Sequence, residues 1–149
     1  MAHIILSGGQ VAVVDDADFQ NLSRFSWFMS DGRAFRRGMD RTMIQMSVHL
    51  MNPTPGLRVD HIDGNKLNCR RANLRTCTHA ENIRNRKKHK NGSSRFKGVH
   101  NDGVRWRARI KLNGKAKSLG TYRTEIEAAL AYDRAAREMF GEFARPNFP

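Results

Sequence analysis

A chain of 149 residues with a formal net charge of +13 has the length of one compact domain or two small ones. Apolar residues make up 39% of it and occur in runs of only a few residues, so we expect modest cores and no membrane span. The start of the chain lacks the basic and long apolar segments of a secretory signal, and its two cysteines, Cys69 and Cys77, form no CxxC pair. These features predict a reduced cytoplasmic setting without structural zinc, although a disulfide between the two remains possible in principle.

Residues 1–57 are predicted to form a small β-rich module with one short helix. The apolar run after Gln10, "VAVV" at residues 11–14, favours a strand, and Asp15 or Asp16 can cap a helix after it. The apolar residues that recur there at helical spacing are Phe19, Leu22 and Phe25. Apolar and polar residues alternate in "TMIQMSVHLM", residues 42–51, so we expect a strand there, with His49 as a structural residue.

Two strands joined by a loop are predicted next. "LRVDHI" at residues 57–62 favours a strand, and the following Asp63-Gly64 pair is a turn signal. "NLRTC" at residues 73–77 favours a returning strand, although the connection is longer than a tight hairpin turn. The polar residues assigned to turn formation alone are Asp63, Asn65 and Asn68.

A helix is predicted directly after the second strand. Thr78 and Glu81 have the spacing of a capping box, so Asn82 would fall in the first helical turn. A strand pair packed on this helix can place Asp60 and Asn82 on two sides of one cation, and their oxygens suit Mg²⁺ or Mn²⁺. His61 would need a twist or bulge to join them, and its ordinary pKa of about 6.5 allows it to accept a proton from water. Taken alone, Asp60 and His61 are better explained as an ordinary hydrogen-bonded surface pair. In combination with Asn73, Asn82 and the capping box, they favour the metal site.

The stretch "VDHIDGNKLNCRRANLRTCTHAENIRNR", residues 59–86, resembles the core of the HNH homing endonucleases, whose fold is a ββα-metal hairpin and helix. The resemblance implies that Asp60 is a metal ligand and His61 the general base. It implies that Asn73 holds the loop and orients the histidine, and that Asn82 is a second metal ligand, in the branch that uses Asn in place of His. Weaker candidates for that last position are Asn85 and His79. The family often carries a histidine shortly before the motif, so His49 is a further position to check.

Basic residues are concentrated in one part of the chain. Residues 58–117 hold 18 Lys and Arg against 4 Asp and Glu, whereas the segments on either side are close to neutral. A concentrated block favours a polyanionic partner, most simply nucleic acid. Charge alone leaves a ribosomal-type or chaperone-like RNA binder open. Within the block, residues 86–94 are basic, contain Gly and Ser, and are predicted to be a linker in which Lys87 and Lys88 contact DNA.

From Phe96 onward the pattern predicts three short strands and one helix. "RWRARIK" alternates an apolar face with a basic face, and "LNGK" contains an Asn-Gly hairpin turn. Thr124 and Glu127 form a second capping box, which opens a helix that ends at Gly141. The inward stripe of that helix is predicted to be Ala128, Ala129, Tyr132, Ala135, Ala136 and Met139. The basic face is then left outside, where its spacing of about 7 Å matches the scale of a duplex groove.

Residues 95–149 resemble the ethylene-response-factor DNA-binding domain of the Apetala type, on the segments "KGV", "WRARI", "LGTY", "EAALAYDRAA" and "NF". The resemblance implies a three-stranded sheet that lies in the DNA major groove. The residues it places against DNA are Lys97 and His100 from the first strand, then Arg105, Arg107, Arg109 and Lys111. The plant versions carry Arg in place of His100 and a strand Trp near Ser118, so the plant target sequence is not implied.

The predicted fold class is α+β, with domains at residues 1–85 (nuclease core 57–86) and 95–149. The combined resemblance implies a metal-dependent endonuclease of the phage or mobile-element homing type that acts on double-stranded DNA in the cytoplasm of a bacterial host or phage-infected cell. We expect Mg²⁺ or Mn²⁺ as its cofactor, no other small-molecule cofactor and no membrane partner. The alternative is a non-catalytic, sequence-specific DNA-binding regulator with a decayed HNH core.

Overall fold

The computed structural model describes residues 1–88 and 92–148, which divide into two compact units with the boundary between Asn82 and Ile83. The predicted linker at 86–94 falls partly outside the described residues, because His89, Lys90 and Asn91 are not among them. No helix among the described residues is long and apolar enough to cross a membrane. The predicted α+β class is confirmed, since short helices accompany antiparallel sheets in both units.

The first unit opens with small antiparallel sheets and two short helices. These elements are β1 (Ala2–Ile5), β2 (Val11–Val14), α1 (Asp16–Leu22), β3 (Phe28–Ser30), β4 (Arg33–Arg37), β5 (Met43–Gln45) and α2 (Met46–Met51). Strands β1 and β2 form one hairpin, and β3, β4 and β5 form a meander. The predicted helix after Asp15 is confirmed, but Phe25 lies beyond its end.

The strand predicted over residues 42–51 is wrong beyond Gln45, where α2 begins. Met46 and Leu50 are four residues apart and both are buried, so the helical period satisfies the core here as well as strand alternation would. Asn52 ends α2 in the left-handed conformation, with its N–H bonded to the Val48 carbonyl. His49 therefore lies on a helix and not on a strand.

The remaining elements of the first unit form a hairpin and helix. These are β6 (Arg58–His61), a short 3-10 turn (Arg71–Asn73), β7 (Leu74–Cys77) and α3 (His79–Arg84), which ends just past the unit boundary. One hydrophobic core joins this hairpin to the earlier elements, because Cys69 and Leu74 pack in the same cluster as Val14, Trp27 and Met46. The N-terminal elements therefore support the hairpin directly.

The second unit has the predicted order of three strands and one helix. It contains β8 (Val99–Asn101), β9 (Trp106–Leu112), β10 (Lys115–Tyr122), α4 (Glu125–Phe140) and a 3-10 turn (Gly141–Phe143). Strand β9 lies in the centre of the sheet, and Asn113 and Gly114 form the predicted two-residue turn, both with positive φ. Both parts of the capping box at Thr124 and Glu127 are present, and Gly141 follows the helix as predicted.

Candidate functional site

Asp60 sits in the middle of the hairpin, paired across the strands with Arg75. Arg75 donates to the same oxygen, Asp60 Oδ2, from Nε at 3.1 Å and from Nη2 at 2.9 Å. Both side chains are almost entirely buried. The ion pair compensates the charge of a carboxylate that burial alone would make costly.

His61 is the last residue of β6 and is also buried. Its Nε2 lies 3.8 Å from the thiol of Cys69, a core residue. Burial is the main reason that the pKa of His61 lies below its ordinary value of 6.5. A neutral imidazole is the form that can accept a proton, so this environment suits a general base at neutral pH.

No bulge separates Asp60 from His61, because the pairing of β6 with β7 runs in regular register from Arg58 through His61. Asp60 contacts Arg75, and His61 approaches Cys69. Asp60 is nevertheless close enough to act on the His61 imidazole, since its charge raises the pKa of His61 against the larger effect of burial.

Asn73 fastens the loop between the two strands. Its side-chain oxygen accepts the Asp63 N–H at 3.0 Å, and its Nδ2 donates to Asp63 Oδ1 at 3.0 Å and to the Asn68 carbonyl at 2.8 Å. The Ile62 N–H also bonds to the Asn73 carbonyl, directly after His61. These contacts agree with the loop-holding role expected of Asn73 and with the turn role expected of Asp63, Asn65 and Asn68.

The loop is also fastened to the N-terminal elements. Arg71 donates from Nε and Nη2 to the two oxygens of Asp18, at 2.9 and 2.8 Å, and its backbone N–H bonds to Asp15. Val13 in β2 exchanges backbone hydrogen bonds of 2.8 Å with Leu67 and Cys69. The position of His61 relative to the loop is therefore determined by contacts that are distant in sequence.

Helix α3 begins at the predicted place. Thr78 and Glu81 make the reciprocal bonds of a capping box, with the Thr78 N–H 2.8 Å from the Glu81 carboxylate. His79 is the first helical residue and is exposed, rather than preceding the helix as expected. Asn82 is the fourth residue of the helix and is half-buried, and Asn85 is buried just after the end of the helix.

Asp60 and Asn82 are the residues on which a divalent cation would depend. No cluster of three or more His, Cys, Asp or Glu side chains suited to a metal lies within residues 1–88 and 92–148. One carboxylate and one amide oxygen nevertheless fit Mg²⁺ or Mn²⁺, which keep several waters and often take only one or two protein carboxylates. The donor types therefore fit such a cation.

His49 is half-buried among aromatic rings. Phe25 and Trp27 lie edge-on to its ring, with centroids at 5.5 and 6.1 Å. Its Nδ1 faces Arg36 Nη2 at 3.5 Å, and burial followed by the charge of Arg36 lowers its pKa. These contacts support the structural role expected of His49.

In the second unit, β9 separates an apolar face from a basic face as predicted. Ala108 and Ile110 are buried and Trp106 is half-buried, beside α4 residues such as Ala128 and Tyr132. The exposed residues of the strand and its entry are Arg105, Arg107, Arg109 and Lys111. Arg107 differs from the others because its Nε donates to Asp102 Oδ2 at 2.7 Å, so the expected row of unpaired arginines contains one ion pair.

The other residues expected to contact DNA lie in different surroundings. His100 is exposed on β8 and Lys87 is exposed, whereas Lys88 is half-buried. Lys97 precedes β8 instead of lying on it, and its ammonium donates to the Arg84 carbonyl. Burial lowers the pKa of Lys97 to about 8, so this lysine differs from a freely solvated cation.

The sequence did not predict the roles of three charged residues that hold neighbouring groups in place: Arg75, Asp102 and Asp133. Arg75 follows the loop asparagine by two residues, but only strand register reveals its partner Asp60. Asp133 is fully buried in α4 and accepts bonds from the N–H groups of Asn147 and Phe148. The family resemblance included the "NF" pair, Asn147 and Phe148, but it did not predict that Asp133 binds their backbone.

The hairpin and helix of the first unit match a known protein family. The HNH endonuclease family model matches residues 52–84, which contain both strands and α3. An uncharacterized HNH endonuclease of Acanthamoeba polyphaga mimivirus is 42% identical over 90 residues, covering 60% of this chain and 46% of that protein. Protein 3.8 of Escherichia phage T7 is 36% identical over 108 residues, covering 70% of this chain and 88% of the phage protein. The chain belongs to the HNH endonuclease family.

The chain also resembles plant transcription factors over a C-terminal part. An ethylene-responsive transcription factor of Arabidopsis thaliana is 48% identical over 61 residues, which cover 38% of this chain and 14% of the plant protein. A dehydration-responsive element-binding protein of the same plant is 68% identical over 31 residues, 21% of the chain and 13% of the plant protein. The chain spans less than half the length of the mimivirus relative and a small share of the plant proteins.

Proposed function

We propose that this HNH endonuclease hydrolyses phosphodiester bonds of duplex DNA with the help of Mg²⁺ or Mn²⁺, and that its second unit reads the duplex. The proposal rests on one observation: Asp60, His61 and Asn73 lie on a β-hairpin that is followed directly by α3. The phage and mimivirus likenesses support a phage or mobile-element origin of the homing type. The cytoplasm of a bacterial host or phage-infected cell is the compartment such an enzyme would use.

His61 is the general base in this proposal. The neutral imidazole takes a proton from water as the water oxygen forms a bond to phosphorus, and the phosphorus–oxygen bond to the leaving sugar breaks. The leaving oxygen then takes a proton from solvent. Asn73 holds the loop that follows His61, so the imidazole is presented on a constrained backbone.

Asp60 and Asn82 are the residues that would hold the cation. A divalent cation supplies charge stabilisation at the phosphate and at the leaving oxygen. Arg75 holds the Asp60 side chain by two hydrogen bonds to Oδ2, which limits the orientations that the carboxylate can adopt. A ligand that is already oriented loses less conformational entropy when it binds.

The exposed face of the second unit is the proposed DNA-reading surface. It presents the positive charges of Arg105, Arg109 and Lys111, which are complementary to a row of negatively charged phosphates. The likeness to a plant transcription factor and to a plant element-binding protein supports this assignment. We expect further contacts to DNA from four other residues, which are His100, Lys97, Lys87 and Lys88.

Plasmid cleavage in the presence of Mg²⁺ or Mn²⁺ tests the nuclease. Wild-type protein should convert supercoiled plasmid to nicked or linear forms, and EDTA should stop the conversion. His61→Ala should lower the rate about 10²–10⁴-fold with little change in DNA affinity. His3→Ala, an exposed histidine on β1, is the matched control. DNA binding without cleavage by the wild type under every divalent cation would favour the non-catalytic regulator instead.

Duplex binding in EDTA tests the reading surface. Replacing Arg105, Arg107 and Arg109 together by Ala should weaken binding strongly and flatten the dependence of log affinity on log salt. The control replaces Arg24, Arg37 and Arg134, three exposed arginines outside β9, and removes the same charge. Equal effects of the two sets would argue against a dedicated surface. Unchanged binding by the first set would move the surface to the linker residues around Lys87 and Lys88.

A further inference from the structure

The thiol of Cys69 lies between the imidazole of His61 and a backbone carbonyl. Its Sγ is 3.8 Å from His61 Nε2 and 3.9 Å from the carbonyl oxygen of Lys66. Cys69 is a buried member of the hydrophobic core of the first unit, and His61 is buried beside it. The sulfur therefore contacts the proposed general base on the side of the ring that faces the core and not bulk water.

The backbone of Cys69 is fixed by the N-terminal elements. Its N–H donates to the Val13 carbonyl at 2.8 Å, and the Val13 N–H donates to the Leu67 carbonyl at 2.8 Å. Trp27 and Leu74 belong to the same core cluster as Cys69. The cysteine has little freedom to follow the histidine if the ring turns, so the contact between them restrains the imidazole.

A single thiol proton determines the direction of both contacts of the sulfur. Burial raises the pKa of Cys69 to about 12, so the group is a thiol at neutral pH, with one S–H donor and a weak acceptor. A carbonyl oxygen can only accept, so the contact to Lys66 is a hydrogen bond only when the S–H points toward it. The contact to His61 is then a hydrogen bond only when Nε2 carries a proton and donates it to the sulfur.

The position of the ring proton determines which nitrogen of His61 can act as a base. A neutral imidazole has one protonated nitrogen and one lone pair, and the hydrogen bond made by one nitrogen sets the state of the other. With the proton on Nε2, the lone pair lies on Nδ1. In the opposite tautomer the lone pair would point at the buried thiol, where it cannot take a proton from water.

We propose that Cys69 is a positioning residue for DNA cleavage, because its sulfur accepts the Nε2–H of His61 and its S–H is donated to the Lys66 carbonyl. This inference rests on the proposed role of His61 as the general base. The proton of the attacking water moves to Nδ1 as the water oxygen bonds to phosphorus, and the thiol keeps its own proton. Asn73 restrains the backbone that follows His61, whereas Cys69 restrains the ring itself.

Nitrogen NMR of the ¹⁵N-labelled full chain, without metal or DNA and at mildly alkaline pH, tests the tautomer directly. The side-chain shifts of His61 should show a protonated Nε2 and an unprotonated Nδ1. This measurement needs no variant, so it does not depend on how well a substituted core folds. A ring proton on Nδ1 in the wild-type protein would overturn the proposal.

The contact with sulfur is tested in Cys69→Ala, which removes both the donor and the acceptor. The Nε2–H signal of His61 should change its shift and exchange faster with water, and the single-turnover cleavage rate should fall roughly 10- to 100-fold, as is typical when an outer partner that orients a histidine is lost. DNA affinity should change little. Cys77→Ala is the matched control, because it removes the other buried thiol from the same hairpin and should keep the wild-type rate and His61 signals.

Cys69→Asn separates hydrogen bonding from packing. Asparagine has nearly the volume of cysteine, and its amide offers an acceptor for the Nε2–H and a donor for the Lys66 carbonyl. We expect it to recover much of the rate and the protonated Nε2 that the alanine variant loses. Equal rates in the folded alanine and asparagine variants, checked by circular dichroism, would show that packing alone matters and would overturn the positioning role.

Two results distinguish a failure of this inference from a failure of the nuclease function. Metal-dependent cleavage by a wild-type protein whose His61 carries its proton on Nδ1 would overturn the inference and leave the nuclease standing. Wild-type protein that cleaves no DNA with any divalent cation would overturn the function on which the inference rests, whichever nitrogen is protonated. An unchanged rate and unchanged His61 signals in Cys69→Ala would remove Cys69 from the mechanism.

Discussion

Arg75 Nη2 lies 2.9 Å from Asp60 Oδ2, and the two residues are direct cross-strand partners in the hairpin. The exposed fractions of their side chains are 11% and 8%, so water does little to screen the pair. Removal of one partner from such a pair leaves a buried charge uncompensated, which is more costly than loss of the pair as a whole. The candidate metal ligand and its arginine are therefore energetically coupled.

Arg75→Ala should lower the free energy of unfolding of the first unit by about 3 kcal/mol or more. The measurement is urea unfolding followed by the buried Trp27 in a Trp106→Phe background. Arg58→Ala, an exposed arginine on β6, is the control and should cost less than about 0.5 kcal/mol. Addition of Asp60→Asn to Arg75→Ala should recover part of the loss. Equal stability of the Arg75 and Arg58 variants would contradict a structural role for the pair.

Asp60→Asn and Asn82→Ala should each weaken Mg²⁺ or Mn²⁺ binding by at least about tenfold. A loss of about tenfold is expected even when a residue only supports a metal ligand, and loss of a ligand itself should cost at least as much. Asparagine keeps the shape of Asp60 but removes the charge that attracts the cation. Calorimetric titration of the full chain measures the affinity without DNA or turnover. Asn21→Ala, exposed on α1, is the control. Metal affinity equal to wild type in both variants would remove these residues from the site.

As the pH falls from 8, the cleavage rate should decline to half its maximum only at a pH below 6.5. Burial lowers the pKa of His61 from 6.5, so the imidazole remains neutral, and able to accept a proton, to a lower pH than an exposed histidine would. A bound cation would act in the same direction, since nearby positive charge disfavours the imidazolium. Single-turnover rates across this range provide the measurement. A decline that begins above pH 7 would show that another group controls the rate.

Gly98→Ala should destabilise the second unit by about 3 kcal/mol or more. Gly98 has φ of +75°, and a Cβ there would lie 2.0 Å from Cδ2 of the buried Tyr132. Overpacking and a left-handed backbone each cost about 1–3 kcal/mol. Gly103→Ala, with φ of +93° and no atom within 4 Å of its Cβ, isolates the backbone cost. Unfolding followed by Trp106 in a Trp27→Phe background should show the Gly98 variant to be clearly the weaker of the two.

Neither cysteine should react with a thiol reagent while the protein is folded. Cys69 and Cys77 are free thiols and both are buried, and burial raises the pKa of Cys69 to about 12. The reactive thiolate is therefore scarce at neutral pH. Titration with a chromogenic disulfide should count no thiols in the native chain and two after denaturation. Fast native labelling of either residue would show that the hairpin opens readily.

Features that depend on near neighbours in the chain could be predicted from the sequence. The capping boxes at Thr78 and Thr124 and the Asn113-Gly114 turn are local hydrogen-bond and φ requirements, so a few residues are enough to predict them. The two faces of β9 follow from strand alternation. The hairpin and helix followed from residue types and their spacing, whereas the loop-holding role of Asn73 was implied by the family resemblance.

Tertiary structure alone decided the contacts that join distant segments. α2 is helical although its sequence alternates like a strand, because Met46 and Leu50 both reach the core at helical spacing. The partner of Asp60 depends on the register of β7, and a shift of one residue would have removed Arg75 from it. The Asp102–Arg107 pair and the burial of Asp133 likewise depend on the folding of a loop and of the chain end onto their neighbours. The local sequence does not predict such pairings. Without the fold, the same charged residues would be expected to lie on the surface in contact with water.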